Sequence, residues 1–92
     1  MTASLALKEV NWLGDQSSLQ AAAAEGVAVL ARVRSTREPA AARLRLDDGA
    51  PVLVFDQAEE GVSPGQACVL YDAPTGDRVL GGGFIATTTA AG

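Results

Sequence analysis

Histidine is absent from the 92-residue chain, and Cys68 is its one cysteine. Ser-His and Cys-His catalysis and the common zinc ligand sets are excluded together, and no internal disulfide can form. Aromatic residues are 4% of the chain, so large rings cannot fill a core. Alanine and valine are expected to supply much of it. No apolar run approaches the ~20 residues that a membrane-spanning helix needs. The N-terminus lacks a basic segment followed by an apolar one, the mark of a secretory signal. The expectation is a cytoplasmic protein with no membrane or metal partner.

Apolar residues make up 48% of the chain, far more than a disordered segment carries. Ninety-two residues supply one core, so 1–92 is expected to be a single domain. The net charge of −4 is unevenly spread. Arg32, Arg34, Arg37, Arg43 and Arg45 are five of the seven basic residues, and Glu38 is the sole acid among them. That window carries +4 and the remainder −8. The pattern is a local basic face on an acidic body.

Along the chain the periodicity is mostly that of strands. Leu5 to Trp12 reads as a first strand, with imperfect alternation that places Leu5, Leu7 and Glu9 on one face. Ser17-Ser18-Leu19-Gln20 fits a helical capping box, and the alanines at 21–24 extend a short helix over 17–25 that Gly26 stops. From Val27 to Arg34 an apolar face (Val27, Val29, Ala31, Val33) alternates with one that turns basic. Ala40 to Leu46 repeats the theme, with Ala42, Leu44 and Leu46 against Ala41, Arg43 and Arg45. Asp47-Asp48-Gly49 is a hairpin turn, since Asp-Gly tolerates left-handed dihedrals. Val52 to Phe55 is apolar on both faces, and 56–61 reads as an acidic loop.

Ser63-Pro64-Gly65-Gln66 has type II turn chemistry: proline pre-sets φ at its second position and glycine supplies a positive φ at its third. Strands are expected over 66–72 and 77–86, with 87–92 a loose tail. Three glycines, Gly81-Gly82-Gly83, inside the last strand are abnormal, because glycine costs chain entropy and packs nothing there. They mark a bulge or a close backbone approach. A phosphate cradle would need a following helix, and Phe84-Ile85 follows instead. Six short strands with turn signals between them predict an all-β, compact antiparallel barrel.

The blocks Glu9-Val10-Asn11-Trp12-Leu13, Val33-Arg34, Val62-x-Pro64-Gly65-Gln66 and Leu80-Gly81-Gly82-Gly83-x-Ile85 come in the order seen in one family. Over positions 5 to 86 the chain resembles the C-terminal domain of bacterial tRNA-specific 2-thiouridylases. The resemblance implies a six-stranded barrel similar to domain 2 of elongation factor Tu. It also implies a parent enzyme that uses ATP and a persulfide sulfur to replace the 2-oxygen of a wobble uridine. The ATP-binding loop and the two catalytic cysteines of that parent are missing from this chain, which by itself is expected to be no enzyme and to hold no cofactor. Its implied partners are tRNA and the catalytic and central domains of the same polypeptide. The chain departs from the family at Ser35-Thr36, where an aromatic often stands, and in its longer 72–77 turn.

The arginine window is the candidate RNA surface, with Arg32, Arg34, Arg37, Arg43 and Arg45 contacting phosphate oxygens and no residue assigned to catalysis. A charged strand face is more often simply solvated. Cys68, between Ala67 and Val69, suits a small buried hydrophobe better than a sulfur carrier. Trp12 suits a core anchor better than a stacking platform. Two other readings compete: a flavin-binding barrel of the ferredoxin-reductase type, echoed in Arg32-Val33-Arg34-Ser35, and a standalone protein-interaction barrel.

Overall fold

The computed structural model describes residues 1–13, 21, 24–33, 38–48, 50–73 and 75–91. Six strands run in chain order: β1 (Thr2–Trp12), β2 (Val27–Arg32), β3 (Ala40–Asp47), β4 (Ala50–Glu59), β5 (Ala67–Asp72) and β6 (Val79–Ala90). They close into a barrel in the order β1-β4-β3-β2-β5-β6, and every pairing is antiparallel. Closure removes the unpaired edges through which an open sheet aggregates. Of the expected helix over 17–25, Ala21, Ala24 and Glu25 are helical, and the other positions lie outside the described residues. Gly26, the expected stop, has φ +93°.

The interior follows the alternation of β2 to β5. Val29, Ala31, Ala42, Leu44, Leu53, Phe55, Cys68 and Leu70 point inward and are buried. Leu5, Leu7 and Ile85 complete the cluster. Leucines (Leu5, Leu7, Leu44, Leu53 and Leu70) form the largest part of this cluster, while the expected small residues Val29, Ala31 and Ala42 share it and Val10, Val27, Val33, Ala40 and Val62 pack against it. Trp12 packs against the cluster as a partly buried anchor.

Three segments differ from their sequence reading. Glu9 does not share the inward face of Leu5 and Leu7. It adopts φ +52° at a bulge where Lys8 pairs with Phe84 and Asn11 with Gly82. The extra residue shifts the alternation by one, so Val10 and Trp12 continue the inner face and Glu9 is exposed. Residues 87–90, read as a loose tail, continue β6 instead. Thr87, Thr88, Thr89 and Ala90 pair with β1, and the Ala91 amide donates to the Met1 carbonyl at 2.9 Å. A threonine-rich end is β-prone once a partner strand is present. The acidic segment from Asp56 likewise extends β4 to Glu59, where it pairs with Thr2.

The turns match their chemistry. Asp47 pairs with Ala50 across the Asp48-Gly49 connection, with Asp48 at φ +52°. Gly65 has φ +92°, and the Gln66 amide donates to the Ser63 carbonyl at 3.3 Å. This turn is also tied to β6. The Gly65 amide donates to the Ile85 carbonyl and the Ile85 amide to the Gln66 carbonyl, each at 2.8 Å. Asp72 organises the last turn, its carboxylate accepting from the Arg78 amide at 2.8 Å.

Candidate nucleic-acid interface

Arg43 and Arg45 stand two residues apart on β3, so they share its outer face at a spacing of about 7 Å. Both are exposed. Their neighbours on that face are Ala28 on β2 and Val54 and Val52 on β4, all too short to cover them. Arg43 lies back across Gly26, to whose carbonyl its Nη1 donates at 3.3 Å. A Cβ on Gly26 would come 3.1 Å from Arg43 Cδ, so the glycine makes room for the arginine stem as well as supplying the positive φ. Arg45 makes no hydrogen bond or ion pair among the described residues.

Arg32 is elsewhere. It faces outward on β2 four residues beyond Ala28, about 13 Å along the strand from the level of Arg43. Its guanidinium sits 5.9 Å from the centre of the Tyr71 ring on β5, and its Nε is buried without a hydrogen-bond partner. Arg34 and Arg37 lie outside the described residues, as do Ser35 and Thr36. The window thus brings Arg43 and Arg45 together and separates Arg32 from them. Sequence alternation found the β3 pair. The stacking of Arg32 on Tyr71 left no sequence signal, because it depends on β2 pairing with β5.

Cys68 and the three glycines are built into the barrel. Cys68 is 1% exposed, and burial pushes its thiol up to about 11, from 9.0. A thiol in that state is protonated at neutral pH and is a poor nucleophile. The three glycines serve strand approach. A Cβ on Gly81 would come 2.5 Å from the Asn11 carbonyl oxygen, and one on Gly83 would come 2.8 Å from that of Lys8. A Cβ on Gly82 would come 2.8 Å from the carbonyl oxygen of Cys68 on the other side. β6 therefore lies hard against both β1 and β5, where bulges also interrupt the register. Among the described residues, no group of three acidic or thiol side chains is placed to hold a metal ion, and no helix is long and apolar enough to cross a membrane.

The described residues define the class of the protein as an all-β, closed antiparallel barrel with a buried thiol and an exposed arginine pair on one strand. The profile of the aminomethyltransferase beta-barrel domain matches residues 2–85, and the chain belongs to that family. It is 70% identical over 89 residues to the "tRNA-specific 2-thiouridylase MnmA" of Caulobacter vibrioides, covering 97% of this chain and 23% of that relative. A protein of the same name from another Caulobacter species is 62% identical over 96 residues, covering 100% of this chain and 24% of the relative. That from Hyphomonas neptunium is 58% identical over 86 residues, covering 94% and 22%. The chain spans about a quarter of the length of these curated relatives.

Proposed function

We propose that this chain is the accessory C-terminal barrel of an ATP-dependent tRNA 2-thiouridylase, acting in the cytoplasm by helping to hold tRNA and by packing against the rest of its polypeptide. The observation that carries this reading is the match over nearly the whole chain to relatives with that printed name, at 58–70% identity in the three described. The barrel does no chemistry. ATP and a persulfide sulfur do not fit its residues, since the Gly81–Gly83 backbone is wedged between two strands and the one thiol is buried. Those steps belong to the catalytic and central domains.

Arg43 and Arg45 supply the tRNA contact. Arginine forks on an outer strand meet phosphate oxygens and add affinity and position without reading bases. The acidic remainder of the chain confines that attraction to one side. The test is a salt titration of tRNA binding by the parent enzyme with Arg43 and Arg45 replaced by glutamine. Weaker binding with a shallower salt dependence supports the reading, and unchanged binding at low salt reduces the face to a solvated one.

A further inference from the structure

Among the described residues four large hydrophobic side chains are notably exposed: Met1, Leu13, Val79 and Phe84. Three of them line one groove. Leu13 is 53% exposed, and Val79 and Phe84 are each 43% exposed. The groove runs over Gly81, Gly82 and Gly83, with Glu9 and Asn11 on the β1 side and Ala67 and Val69 on the β5 side. Across it Asn11, Gly82 and Val69 form one row of paired residues on three strands. Its floor at Gly82 is bare backbone because strand approach forbids a side chain there. The bulge that gives Glu9 its positive φ places that carboxylate at the rim.

Strand order fixes where this groove points. In the closed order β1-β4-β3-β2-β5-β6, β3 is three strands from β6 by either route. The Arg43–Arg45 face and the glycine groove therefore lie on opposite sides of the barrel. One side carries the arginine pair, and the other an apolar groove with Glu9 in its lining and Lys8 beside Phe84. Exposed apolar side chains gathered in a groove mark a surface that another body covers. A nucleic acid is a poor occupant, because the lining is mostly apolar with the acid Glu9, and the nearest cation on β1, Lys8, lies opposite Phe84 outside the lining. An apolar occupant suits this lining, and a positive charge on it would complement Glu9. The matched relatives are about four times as long as this chain, so most of such a polypeptide lies outside the barrel.

We propose that the groove over Gly81–Gly83 is the seat of an apolar segment from the remaining part of the same polypeptide, with a basic side chain of that segment facing Glu9. This rests on the reading of the chain as the barrel of a longer enzyme, and it names the surface by which the barrel is held. The barrel is then two-sided, gripping its own enzyme through β6 while presenting β3.

The experiment is hydroxyl-radical labelling of Leu13 and Phe84 in the 92-residue chain and in the full-length parent, each with and without tRNA. Labelling at both residues is expected to fall several-fold in the parent without tRNA. Phe84→Asp in the parent should speed proteolytic release of the barrel, and Glu9→Lys should do the same through charge reversal. Equal labelling in the two proteins overturns the proposal, and so does protection that appears only when tRNA is added, which would make the groove an RNA surface. Should Phe84→Asp prevent folding of the parent, the labelling of the unsubstituted proteins still decides. Protection in a parent that fails to thiolate tRNA would overturn the proposed function and leave this interface standing.

Discussion

Gly82, opposite Val69, lies so close to the Cys68 backbone that a Cβ on the glycine would come 2.8 Å from the cysteine carbonyl oxygen. The contact is backbone against missing side chain, and it sits where β5 and β6 complete the barrel. It accounts for a glycine run that the entropy of an extended strand disfavours. β6 has to approach β5 at Gly82 and β1 at Gly81 and Gly83, on a wall too tightly curved to admit side chains between strands.

Gly82→Ala is accordingly expected to destabilise the barrel by about 1–3 kcal/mol through a clash with backbone that cannot move aside. Gly65→Ala serves as its comparison. No atom lies within 4 Å of a Cβ there, but φ is +92°, so the cost is about 1–2 kcal/mol from backbone conformation. Urea denaturation of both variants measures the two effects. A neutral Gly82→Ala would mean that the strands are not pressed together.

Glu9 holds φ +52° at the β1 bulge. A left-handed non-glycine residue costs roughly 1–2 kcal/mol, against roughly 0.5–1 kcal/mol for the extra chain entropy of glycine. Glu9→Gly should therefore keep or raise the melting temperature, whereas Leu5→Gly, in the regular part of the same strand, should lower it sharply. Loss of stability in Glu9→Gly comparable to that of Leu5→Gly would contradict the bulge.

The Cys68 thiol gives a pH signature. Its pKa is raised from 9.0 to about 11 by burial, so the folded chain retains a proton that the unfolded chain releases first. The stability this contributes is complete below pH 9 and is lost as pH rises to about 11. Unfolding free energy measured from pH 8 to 11 should fall more steeply in the unsubstituted chain than in Cys68→Ala. Parallel profiles would show that the thiol is not sealed. Thiol-directed reagents at pH 8 should likewise label Cys68 only as fast as the barrel opens.

Arg43 and Arg45 separate by role. Arg43→Gln removes the hydrogen bond to the Gly26 carbonyl and should cost about 0.5–1 kcal/mol of stability. Arg45→Gln should leave stability unchanged. In the parent both should weaken tRNA binding, and the double variant should reduce the slope of log affinity against log salt by about 1.5–2. Denaturation and filter binding on the same four proteins distinguish a structural arginine from a binding one. An unaltered slope would remove both from the interface.

Purified chain free of visible absorbance is the expected result under the proposed function. A bound flavin would colour it yellow and favour the alternative built on Arg32 to Ser35. The absorbance spectrum decides between them.

The legible parts of the fold were those set by neighbours in sequence. Alternation from Val27 to Leu46 gave two strands with the correct inward faces, and Asp48 and Gly65 marked turns whose dihedrals their chemistry requires. The outward turn of Glu9 is not legible in sequence, because one inserted residue inverts every later position of a strand and a bulge shows only against its partner. The segment 87–90 is illegible for a related reason: three threonines and an alanine say little until β1 stands beside them.

By itself, then, the sequence determined that this is a barrel without histidine chemistry, where its turns fall, and that Arg43 and Arg45 share an outward face. These follow from local dihedral preference and the two-residue period of a strand. The closed strand order was decided by the tertiary structure alone. It took Arg32 away to Tyr71, buried Cys68, explained three glycines by the strands on either side, and set the arginine pair opposite an apolar groove. Such relations depend on which strands meet, and contacts between distant segments are fixed only when the chain closes on itself.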